Sequence, residues 1–69
     1  MPYPIEIEQE ADGRWLAEIP ELPGTLAYGA TSDEAVQNVR TLGLRVLADR
    51  IEHGEPVPDG VTELFAVPA

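Results

Sequence analysis

Sixteen consecutive residues, Pro20 to Ala35, constrain the fold of this chain more than any other stretch: Pro-Glu-Leu-Pro-Gly-Thr-Leu-Ala-Tyr-Gly-Ala-Thr-Ser-Asp-Glu-Ala. Pro23 has a fixed φ and no N–H, Gly24 can take positive φ, and Leu22 before the proline is driven toward extended geometry. The segment therefore ends one strand and re-aims the chain. Thr25 to Gly29 reads as a short strand with Leu26 and Tyr28 on one face, and Thr31 then opens a helix. The Thr31 hydroxyl can accept from the N–H of Glu34 while the Glu34 carboxylate reaches back to the N–H of Thr31, a reciprocal capping box.

The flanking sequence supplies partners for that turn, strand and helix start. Tyr3, Ile5 and Ile7 alternate with Glu6, Glu8 and Glu10, the period-2 pattern of a half-buried strand. Ala11-Asp12-Gly13 makes a turn, and Arg14 to Ile19 alternates again, with Trp15, Ala17 and Ile19 opposite Arg14, Leu16 and Glu18. A hairpin is the natural reading. Trp15 reads as core, and an exposed Trp15 would be the leading interface anchor. From Ser32 to about His53 the spacing predicts a helix whose core face, an arc about 140° wide, carries Ala35, Val36, Val39, Leu42, Gly43, Val46 and Leu47. Leu44, Ala48 and Ile51 fall outside the arc, on the flank of Gln37 and Arg40, as candidate partner-facing residues. Gly54 suits the position after the helix, and Pro56 and Pro58 stop it. Asp59-Gly60 turns the chain, and Thr62 to Val67 reads as a last strand, with Leu64 and Ala66 opposing Glu63, Phe65 and Val67.

The expected architecture is one α+β domain over residues 1–69, ordered β-β-β-α-β, with a mostly antiparallel sheet covered by one helix on one face. The other sheet face is left bare for a second copy or another protein. Size argues the same way. A chain of 69 residues buries only about 60% of its unfolded surface, so a homo-oligomer or a bound partner is expected.

Charge narrows the choice of partner. Thirteen acidic residues face four arginines and no lysine, a formal net charge of -9. Such a surface repels phosphate backbones, so direct nucleic-acid binding is not expected, whereas encounter with a basic protein is accelerated. The chain has no cysteine, which excludes disulfides and thiol chemistry and fits a reducing cytoplasmic setting. Its start, Met-Pro-Tyr-Pro-Ile-Glu-Ile-Glu, has neither a basic leader nor a long apolar run, so no signal peptide or membrane span is expected.

Catalytic chemistry finds little footing. Glu6, Glu8 and Glu10 share a strand face, but neighbouring carboxylates on one strand stand about 6.7 Å apart. Two-metal catalysis needs ions about 3.5–4 Å apart held by carboxylates from several elements, so no metal site is read here. The row instead discourages edge pairing. His53, the single histidine, fits a C-terminal helix cap. The hydroxyls of Thr25, Thr31, Ser32, Thr41 and Thr62 have no histidine at a useful spacing, no phosphate-loop pattern is present, and no cofactor is implied.

The run from Trp15 to Arg40, with Ala-Glu-Ile-Pro-Glu-Leu-Pro-Gly, then Tyr-Gly-Ala-Thr-Ser-Asp-Glu-Ala and a following Asn38, resembles the HicB-type antitoxin domain. With the leading hairpin and long helix, the likeness covers nearly the whole chain. It implies a β-β-β-α-β domain related to a degenerate ribonuclease-H-like fold. It also implies a role in a type II toxin–antitoxin pair, in which such a domain blocks a small basic ribonuclease toxin called HicA. Many HicB-like antitoxins add a C-terminal helix-turn-helix or ribbon-helix-helix module. This sequence ends at Ala69 and resembles the stand-alone members. Two further readings are a metal-dependent nuclease remnant, motivated by the excess of carboxylates, and a purely structural homo-oligomer.

Overall fold

A computed structural model of the chain describes residues 3–65, 67 and 68. Three short strands, β1 (Glu6–Gln9), β2 (Trp15–Glu18) and β3 (Leu26–Gly29), precede a long helix, α1 (Ser32–Glu52), and one helical turn, α2 (Asp59–Thr62). Among the described residues the sheet is antiparallel with strand order β1-β2-β3. This is the expected α+β arrangement of three strands and one covering helix.

Local chemistry explains each junction. In the first hairpin the Gly13 N–H donates to the Glu10 carbonyl at 2.9 Å, with Gly13 at φ 92°, a left-handed position that favours glycine. Asp12 stiffens this turn by accepting from the Arg14 backbone N–H at 3.1 Å and its Nε at 2.8 Å. The Arg14 backbone N–H, and then its guanidinium, hold the Asp12 carboxyl below the ordinary carboxylate range. Between β2 and β3 lie two consecutive turns, each led by a proline. The Leu22 N–H donates to the Ile19 carbonyl across Pro20 and Glu21, and the Thr25 N–H donates to the Leu22 carbonyl across Pro23 and Gly24. Pro23 followed by Gly24 at φ 83° is the chemistry of a type II turn. The pair of turns drives Leu22 into the core, where it is 1% exposed.

At the helix start, the Thr31 hydroxyl accepts from the Glu34 N–H at 3.1 Å, as the sequence predicts. The return bond differs by one residue: Glu34 Oε1 accepts from the N–H of Ala30, not of Thr31. Replacing Thr31 by alanine is expected to cost about 1 kcal/mol, read as a fall in the thermal midpoint with an unchanged fold. A midpoint equal to the parent's would remove the cap from the account. At the other end, the Gly54 N–H donates to the Ile51 carbonyl and the Glu55 N–H to that of Arg50, with Gly54 at φ 70°, a Schellman ending. His53 closes the last turn, its Nδ1 lying 2.8 Å from the Asp49 carbonyl oxygen.

The core lies between sheet and helix. It contains Ala17, Ile19, Leu22, Ala35, Val39, Leu47 and Val61, with Tyr3, Ile5, Trp15, Ala27 and Val57 packed against its edge. From the expected helix arc, Ala35, Val39, Gly43 and Leu47 are buried, while Val36, Leu42 and Val46 are half-buried at its margins. Small residues let the two layers approach closely: a Cβ at Gly29 would sit 2.9 Å from Ala35 Cα and 2.9 Å from Glu34 C.

Two expectations need correction. Residues 59–62 form the helical turn α2, and Glu63 to Phe65 continue as turn, so the described part of the expected last strand, Thr62 to Val67, is not extended pairing. Ala66 lies outside the described residues. The physical reason is that α2 lowers Val61, 5% exposed, into the core, which consumes the residues that would have begun a strand. Ile7, expected to point inward, is 47% exposed although it lies on the helix side, because α1 covers β3 and β2 and only grazes β1.

Candidate interaction surface

Directly paired residues of neighbouring strands share a face, so the register defines the open side of the sheet. One cross-strand row is Glu8, Leu16 and Tyr28, and the next is Glu6, Glu18 and Leu26. Leu26 and Tyr28 remain exposed and Leu16 is half-buried at the centre. A shallow depression of about 120 Å³ is lined by Glu6, Ile7, Glu8, Leu16 and Glu18. The face is therefore divided: carboxylates gather on the β1 side and apolar side chains on the β3 side. The Arg14 guanidinium lies over the Tyr28 ring, 4.4 Å from its centroid, and adds a cation–π contact to the apolar half.

The partner-facing candidates separate into two groups on opposite layers. Glu6 and Glu8 stand exposed on the open sheet face, whereas Glu10 is half-buried at the hairpin, its backbone N–H donating to the Arg14 carbonyl at 2.7 Å. Leu44, Ala48 and Ile51 are exposed along one stripe of α1. The structure does not bring the acidic row and the helix stripe together. Thr31, Glu34, Pro23 and Gly24 all occupy capping or turn positions, as described above.

A second concavity of about 350 Å³ lies between the helix and the uncovered β1 margin. Its lining is mostly apolar: Tyr3, Ile5, Ile19, Leu22, Gly43, Leu44 and Leu47, with Arg40 at the rim. Sequence reasoning missed this groove. Its one legible signal was Gly43 on the core face of the helix, where the missing side chain leaves room for Ile19.

Asn38 was also missed as a working residue. Its side-chain amide donates to the Tyr28 carbonyl at 2.8 Å, tying the helix to the sheet at the edge strand. The hydroxyls of Tyr3 and Thr25 are buried without a hydrogen-bond partner. Among the described residues no group of three or more His, Cys, Asp or Glu is positioned to hold a metal ion, and no helix is long and apolar enough to cross a membrane.

The chain is similar to the UPF0150 protein Ta0767 of Thermoplasma acidophilum. The two are 29% identical over 69 residues, which span all of both chains. No family model matches the sequence, and no solved structure matches it.

Proposed function

We propose that this chain is a non-enzymatic protein-interaction module that binds and neutralises a small basic protein, in the manner of a HicB-type antitoxin acting on a HicA-type ribonuclease toxin in the cytoplasm. The observation that carries the reading is the open sheet face, where exposed Glu6 and Glu8 adjoin Glu18 beside an uncovered apolar strip of Leu16, Leu26 and Tyr28. A surface of that composition offers a basic partner both long-range attraction and an apolar anchor. The net charge of -9 strengthens the attraction. The motif from Trp15 to Arg40, with its resemblance to the HicB-type domain, supports the same assignment.

Co-expression with a HicA-type ribonuclease toxin in bacterial cells tests this. Growth should be rescued by the parent chain and lost with Glu6→Lys combined with Glu8→Lys, two exposed changes that leave the core untouched. In vitro, the same pair should weaken binding of the purified toxin by about tenfold or more at low salt, with the difference shrinking as salt rises. Absence of both rescue and binding by the parent chain would reject the assignment. Undiminished binding by the variant would move the contact off the open sheet face.

A further inference from the structure

The chain carries an apolar groove and, separately, an apolar segment with nothing to cover it. Beyond α2, Leu64, Phe65 and Val67 are exposed, the latter two at 88% and 92%, more than any other large apolar side chain described. The groove beside α1 is open, and its Leu44 is 66% exposed. We propose that these two features belong to each other across a twofold axis: Leu64, Phe65 and Val67 of one copy dock into the groove of a second copy, and reciprocally.

Size supports a second copy as the occupant. The accessible surface is 5149 Å², about 900 Å² above the roughly 4,250 Å² of a compact monomer of 7.5 kDa. That excess matches the roughly 800 Å² that each partner buries in a standard protein–protein interface. The radius of gyration tells the same story, 13.8 Å against about 11 Å for a compact domain of this length. Charge is complementary at the contact. Glu63 stands beside the exposed Leu64 and Phe65, and Arg40 at the groove rim. A twofold exchange buries both tails and both grooves with one kind of contact, which is how an isologous dimer closes on itself. The groove lies on the helix side, off the open sheet face, so a dimer of this kind leaves the proposed partner surface free.

The dimer is driven by apolar burial between two chains that each carry -9, so it should tighten as salt screens their repulsion. Sedimentation equilibrium of the full chain should give a dimer, and Phe65→Asp or Leu44→Glu should each weaken it about thirtyfold or more. Both residues are exposed, so circular dichroism should show an unchanged fold. The decisive arm mixes the two variants. A tail-defective chain still has an intact groove and a groove-defective chain an intact tail, so the mixture should form a heterodimer more tightly than either variant forms its own dimer. A parent chain that stays monomeric, with its tail in its own groove or in solvent, overturns the proposal. So does a dimer indifferent to both changes, or a mixture with no preference for the heterodimer.

Discussion

Replacing Gly29 by alanine is expected to lower the thermal midpoint by at least about 12 °C, and to leave a large fraction of the chain unfolded. The added Cβ would sit 2.9 Å from Ala35 Cα and Glu34 C and closer still to Ala35 N, all backbone atoms of the first turn of α1. No rotamer change relieves such a contact, so either the edge strand or the helix must move. Overpacking of this sort costs about 3 kcal/mol, and about 1 kcal/mol moves the midpoint by about 4–8 °C in a domain of this size. Stability of about 0.05–0.15 kcal/mol per residue leaves little reserve against such a loss. Gly43 provides the internal contrast. A Cβ there meets Ile19 Cδ1 at 2.8 Å, the tip of a flexible side chain beside an open groove. Gly43→Ala should therefore cost distinctly less. Melting curves followed by circular dichroism decide the matter, and a Gly29→Ala midpoint within about 4 °C of the parent's would contradict the close-approach account.

The second large effect is expected at Leu22. Truncation to alanine removes the largest fully buried side chain of the core and leaves a cavity beneath α1, at a cost of about 2–5 kcal/mol. In urea the midpoint should fall by about 1 M or more at unchanged slope, because the surface exposed on unfolding hardly alters. A variant whose midpoint stays within experimental error would show that the double turn delivers Leu22 to a site that collapses around its loss.

These two residues mark what the sequence made legible and what it hid. Leu22 was readable as the residue driven into extended geometry ahead of Pro23-Gly24, because proline and glycine act through steric rules that need no tertiary context. The helix with its Thr31 cap and Gly54 ending was legible for the same reason. The identity of the Glu34 partner was not. A carboxylate reaches both Ala30 and Thr31 N–H groups, and the choice depends on how β3 enters the helix. Ile7 follows the strand alternation, yet whether it is covered depends on where α1 crosses the sheet. The segment from Thr62 to Val67 misled because a short, largely apolar run cannot register the pull of Val61 toward the core. Of the candidate contact residues, Glu6 and Glu8 are exposed on the sheet's open side and Leu44 at the groove, while Asn38 and the groove itself emerge only from the packing of helix on sheet.

Where sheet meets helix, Ala17, Gly29, Ala35 and Gly43 are buried among the larger side chains of Ile19, Leu22, Val39, Leu47 and Val61, and the Gly29 backbone lies close against that of Ala35. Those buried positions are bound by shape, whereas the exposed positions around them are not. Over evolutionary time such a fold can rewrite its outer faces residue by residue while its length stays constant. New binding preferences can arise in this architecture without any renegotiation of how the chain folds.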